Sequence, residues 1–277
     1  MSNTVRIILA LWVIATFSIS SNAEVLSCKK NGKVIFTDNK RNCDSEVTRV
    51  NIQKSEDSRK NYRYPQRQYQ DRSSRYTIFV ESPESEKDKV QLDLAVERLN
   101  TSLNYVFSKL PLQSHVYLKK ISFYIMLGPD SKLGGEDNGL RYFPTTGDPS
   151  LLLGDKRWAH SVVVYNVYNF NWLTELWVNK VVVHELSHSW HYFDWGTNYP
   201  ILKETWLSSR QKGLYLSQRD IKGKLLKPAY ATTNEREYFS ELSATYFVGG
   251  DYFPFNKAEL KKYDPQGYAM VERVWGI

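Results

Sequence analysis

The sequence predicts an α+β domain of roughly 200 residues, 77–277, behind a small β-hairpin module and an export leader. Three observations carry that prediction. Strand-patterned runs at 76–80, 116–127 and 161–170 are joined by an amphipathic helical stretch at 87–110. A second helix-patterned segment contains His184-Glu185-Leu186-Ser187-His188, and a third runs through Asn234 to Glu241. The 277-residue chain leaves this region enough length for one domain with a substantial core.

Residues 1–23 hold one basic residue, Arg6, then an almost wholly apolar run from Ile7 to Phe17, then Ser21-Asn22-Ala23. This is the pattern of a signal peptide cleaved after Ala23, and the apolar run is short for a membrane span. The chain is therefore expected to be exported, to the periplasm or the extracellular space. Residues 24–52 place Lys30-Asn31-Gly32-Lys33 before Val34-Ile35-Phe36-Thr37, a turn signal running into a strand. Both cysteines of the chain, Cys28 and Cys43, fall here, and an even count in an exported protein suggests a disulfide that staples the hairpin. The module resembles short N-terminal domains that precede many bacterial envelope proteins, which implies an envelope setting.

Residues 53–76 are rich in Arg, Gln, Ser, Tyr and Asn and almost free of aliphatic side chains, so a flexible linker is expected. The formal charge of +7 is concentrated ahead of the large domain: residues 24–52 carry +2, residues 53–76 carry +4, and residues 77–277 are neutral. A nucleic-acid enzyme would carry its basic surface on the folded domain, so that class is excluded. The basic segment could hold the protein loosely against an anionic envelope surface, or could simply be solvated.

In the large domain, Val90, Leu92, Leu94, Ala95, Leu99, Leu103 and Val106 are expected on the buried side of the 87–110 helix. The loop with Gly134, Gly135, Gly139, Pro144 and Gly147 reads as a surface connection, with a cleft border as the alternative. The Val162-Val163-Val164 strand before the HELSH helix reads as an edge on which an extended peptide could lie.

Three of five histidines, His184, His188 and His191, lie within eight residues. On a helix, positions i and i+4 stand roughly 5–6 Å apart at Cβ, close enough for two imidazoles to grip one Zn²⁺. As a strand the same residues would sit about 13 Å apart and could not chelate. Glu185 can then reach a water on the ion, which is the general-base geometry of a metalloprotease. Catalytic zinc sites use three protein ligands, so a third donor is needed. Asp194 would suit an HExxHxxGxxD arrangement, but His191 stands where that pattern has glycine, and the required turn is strained without it. The alternative lies at 234–241, where Glu237 and Glu241 are one helical turn apart on a segment with Phe239, Leu242, Tyr246 and Phe247 as a packing side and Gly249-Gly250 as its end. One carboxylate there could complete the metal's protein shell, while the other accepts the outer N–H of a bound histidine.

These residues resemble the gluzincin metallopeptidases, and among them the anthrax lethal factor-like catalytic domain. The likeness rests on His184-Glu185-Leu186-Ser187-His188, on Asn234-Glu235-x-Glu237-Tyr238-Phe239-x-Glu241, and on Tyr230 seven residues before Glu237. It covers about 65 residues and implies a zincin-like fold. It also implies one zinc ion held by His184, His188 and Glu237, with Glu185 activating water, Tyr230 stabilising the transition state and Glu241 supporting a histidine from behind. Ser240 departs from the alanine usual in the family's motif.

The expected function is zinc-dependent endopeptidase action on a peptide or protein substrate. Two alternatives stay open: a non-catalytic envelope protein with a structural or degenerate zinc site, in which His191 would be a fourth donor, and a zinc amidase acting on cell-wall peptide.

Overall fold

A computed structural model of the chain describes three strands between residues 26 and 49, and residues 67–144, 155–195, 199–226 and 228–277, with backbone alone at 194 and 195. The chain divides into two units, Met1–Tyr64 and Pro65–Ile277. In the first, Leu26–Lys30 (β1) pairs antiparallel with Lys33–Thr37 (β2), with Lys30 opposite Lys33, and Thr48–Arg49 (β3) pairs with the other side of β1. The expected leader 1–23, the Cys28–Cys43 bridge and the linker residues 53–66 lie outside the described residues.

The second unit begins earlier than the expected linker end at residue 76. Tyr69–Asp71 (β4) pairs antiparallel with Ile78–Glu81 (β5), and Tyr76 is buried. Aromatic side chains replace the aliphatics missing from this stretch: the Tyr69 ring meets Tyr124 edge to face and its hydroxyl accepts from Trp158 Nε1 at 2.9 Å. An edge strand needs only one partner, so a polar sequence can still be held there.

Ser122–Ile125 (β6), Leu140–Phe143 (β7) and Ser161–Val164 (β8) complete a five-stranded sheet in the order β4-β5-β6-β8-β7. The three central strands are parallel, and both edges run antiparallel to them. Side chains alternate with the pleat: Ile78, Val80, Phe123, Ile125, Val162 and Val164 enter the main core, while Tyr124, Met126, Phe143 and Val163 form a smaller cluster with Trp158 on the other face. Parallel strands covered on both faces read as continuous apolar runs, which is why Val162-Val163-Val164 carries no polar residue.

The helix Glu86–Lys109 (α1) starts at Ser85, whose hydroxyl accepts from Asp88 N, and buries Leu92, Ala95, Leu99, Leu103 and Val106. Val90 and Leu94, expected on that side, are 54% and 42% exposed because they fall off this stripe. Two strand expectations are too long. Leu112–Leu118 is a helix (α2) entered through Pro111, so the strand expected at 116–127 begins only at Ser122. The strand expected at 161–170 stops at Val164, because Asn166 caps a short helix, Val167–Trp172 (α3), by accepting from Tyr168 N and Asn169 N. That helix separates the strand from the HELSH segment.

The HELSH helix, Glu175–Trp195 (α4), is apolar nearly all round its middle, with Val178, Val182, Val183 and Leu186 buried. A helix of that kind belongs in the interior. It packs against Glu235–Phe247 (α6), and Pro200–Gln211 (α5), Lys257–Tyr263 (α7) and Pro265–Trp275 (α8) complete this layer. The connection from α5 to α6 carries the two-stranded pair Gln218–Arg219 (β9) and Leu225–Leu226 (β10), then a 3₁₀ turn at Tyr230–Thr232. Trp275 of α8 is fully buried, stacked 5.6 Å from Trp190 of α4. Gly249 ends α6 at φ +107°, a conformation open to glycine, and a Cβ there would meet Phe255 O at 3.2 Å. Among the described residues no helix is long and apolar enough to cross a membrane. The architecture is α+β.

Candidate active site

The interior position of α4 sets His184 and His188 one turn apart, facing α6. Across from them Asn234 caps α6, its side chain accepting from Arg236 N at 3.0 Å and Glu237 N at 2.9 Å, so Glu237 leaves the first turn in a fixed direction. Glu237 Oε2 lies 3.0 Å from His184 Nε2 and 3.2 Å from His188 Nε2, and the two Nε2 atoms are 3.2 Å apart. One carboxylate oxygen and two imidazole nitrogens thus meet at one point, and these three residues are a group able to hold a metal ion. The donor set is the His₂Glu type that suits zinc.

Burial works against charge on His184, but hydrogen bonds to Glu237 and Glu241 outweigh it and lift the imidazole to about 10. Burial likewise pushes Glu237 up, and the two histidines more than reverse it, holding its carboxyl far below the usual range. A cation that displaces the imidazole proton inherits a site already arranged around positive charge.

Each histidine is also held from behind. Glu241 Oε1 accepts from His184 Nδ1 at 2.8 Å, and Ser240 Oγ lies 3.2 Å from His188 Nδ1. Behind Glu241 sits Lys180, one turn before His184 and 4% exposed; its Nζ is 2.9 Å from Glu241 Oε2 and also contacts Asp251 Oδ1. Burial opposes the Glu241 charge, yet Lys180 and His184 hold its carboxyl down at about 2. Neither Lys180 nor Asp251 stands out in sequence reading. The signal was there: a lysine just before Val181-Val182-Val183, in a helix too apolar to be exposed, requires a buried counter-charge.

Glu185 is not one of the three donors. It is buried, and its Oε2 accepts from Tyr142 N at 2.7 Å. Burial raises its pKa, with His184 and His188 pulling the other way. Tyr142 belongs to β7, so the glycine-containing loop read as a surface connection borders the site. The edge of the sheet is β7, not β8, which is enclosed between β6 and β7. A four-residue strand inside a glycine-rich stretch gives too short an alternation to be read in advance.

Tyr230, 54% exposed, has its ring 5.9 Å from that of His184. Burial of its hydroxyl, with the carboxylates of Glu237 and Glu185 near it, raises its pKa to about 12, so it remains a hydrogen-bond donor at neutral pH. His191 does not join the donor group. It is 2% exposed beside Tyr192 and Phe239, and burial, with His188 and Arg236, lowers its pKa to about 4. The Asp194 side chain lies outside the described residues. Comparison with protein-family models, with curated proteins and with solved structures finds no match for this chain.

Proposed function

We propose that the protein is an exported zinc-dependent endopeptidase of gluzincin type, with a zincin-like catalytic domain. The observation that carries this reading is the single oxygen, Glu237 Oε2, within 3.2 Å of both imidazole Nε2 atoms while Glu185 stays outside that contact. His184, His188 and Glu237 would hold the ion. Zinc bound there supplies Lewis acidity and brings the pKa of its water to about 7.

The chain's own groups do the rest. Glu185, kept in place by the Tyr142 amide, takes the proton from the attacking water and returns it to the leaving amine. The Tyr230 hydroxyl donates to the oxyanion that develops on the scissile carbonyl, a contribution worth about 3 kcal/mol for a well-placed donor. Among the described residues β7 ends the strand order of its sheet, and an extended peptide would add along that edge next to Glu185. That His191 stays out of the donor group favours three protein ligands over the four of a closed structural site.

The test is a peptide-library digest with purified protein, together with metal analysis. Cleavage that stops on chelation and returns with zinc is expected; cleavage indifferent to chelator, or none with zinc bound, overturns the reading. Glu237→Ala is expected to lose zinc outright. Unchanged zinc stoichiometry in that variant would move the third-ligand role to Asp194.

A further inference from the structure

Three residues on one face of α6, at i, i+3 and i+4, meet the two histidines of α4. Glu237 touches both rings at Nε2, Glu241 takes the back of His184, and Ser240 takes the back of His188. The first two follow from the motif. Ser240 is the position at which this chain departs from the motif it resembles, and its side chain is fully buried with Oγ 3.2 Å from His188 Nδ1.

We propose that Ser240 is a positioning residue for His188, accepting its Nδ1–H so that the Nε2 lone pair faces the point shared with Glu237. An imidazole can rotate about its χ2 bond and can carry its proton on either nitrogen. Without an acceptor behind it, the His188 ring loses the contact that selects the Nε2-bare tautomer and the ring plane. His184 has a carboxylate in that role, and among the described residues the hydrogen bond at His188 Nδ1 is to this hydroxyl. The two supports differ in kind: Glu241 brings charge and raises the basicity of its histidine, whereas Ser240 orients its ring through an uncharged hydroxyl and adds no formal charge to the site.

This inference rests on the zinc reading above and extends it to a residue outside the ligand set. The experiment compares the metal-free mature protein, Ser240→Ala and, as a control, Ser187→Ala. Ser187 is equally buried on α4, but its hydroxyl donates to Val183 O at 2.7 Å instead of meeting an imidazole nitrogen. Zinc affinity is measured by chelator competition, and the thermal midpoint of each metal-free protein is recorded alongside. Ser240→Ala is expected to bind zinc about 10-fold more weakly, the low end of the ~10–100-fold range for groups that orient a metal ligand, with its metal-free midpoint matching that of Ser187→Ala. Ser187→Ala is expected to keep wild-type affinity. Equal affinity of Ser240→Ala and wild type overturns the inference while leaving the zinc reading intact, as does a loss of affinity shared equally by Ser187→Ala. A wild-type protein that takes up no zinc overturns both.

Discussion

Glu185→Gln is expected to keep its zinc and lose at least about 10²-fold in kcat/KM for peptide hydrolysis, the lower bound for removing a positioned general base. The substitution is nearly isosteric. The new amide oxygen can still accept from Tyr142 N, which Glu185 Oε2 now does at 2.7 Å, so β7 keeps its anchor on α4. What disappears is the capacity to take a proton. Glu185 is not among His184, His188 and Glu237, the residues whose donor atoms could hold a metal ion, so metal content is not expected to change. Zinc stoichiometry and steady-state kinetics on one preparation separate the two properties. A variant that hydrolyses peptides at the wild-type rate removes Glu185 from the chemistry, and a variant that loses zinc places it among the ligands.

The parts of this site that were legible beforehand are those set by helical spacing. His184 and His188 at i and i+4, and Glu237 and Glu241 at i and i+4, each require only a local helix, and both helices form as the spacing implies. The α1 stripe was readable for the same reason, except that Val90 and Leu94 were placed on it and lie outside it. What could not be read is what depends on distant chain meeting the helices. Tyr142 reaches Glu185 from 43 residues away, and Asp251 reaches Lys180 from 71 residues away. No periodicity encodes such a meeting. The strand limits failed for a related cause: an apolar run such as Val116–Leu127 fits a buried helix as well as a strand until capping and sheet pairing decide. The polar stretch around Tyr69 was misread because composition measures aliphatic content, whereas an edge strand can be held by backbone pairing and aromatic contacts.

Lys180→Met is expected to destabilise the metal-free protein by about 3–5 kcal/mol, the cost of removing one partner from a buried ion pair. Lys180 lies between Glu241 and Asp251, all three nearly inaccessible to solvent, and no other lysine or arginine contacts either carboxylate among the described residues. Burial alone would lower the Lys180 pKa, but the two carboxylates raise it, so its charge persists through neutral pH. A methionine of similar length fills the volume but removes the ammonium between Asp251 Oδ1 and Glu241 Oε2, leaving Glu241 its His184 contact at Oε1. At roughly 2–4 °C per kcal/mol for a domain of this size, the thermal midpoint at pH 7 should fall by on the order of 10 °C. The sign of the pH dependence follows from Glu241. Its folded-state pKa of about 2 is below the ordinary carboxylate value, so its stabilisation is present above that ordinary value and is lost as pH falls towards 2. The gap between wild type and Lys180→Met is therefore full at pH 7 and narrows steadily below about pH 4. Calorimetry of both metal-free proteins across that range is the check. A midpoint unmoved at pH 7, or a gap that widens in acid, would show that the lysine is not what keeps Glu241 charged behind His184.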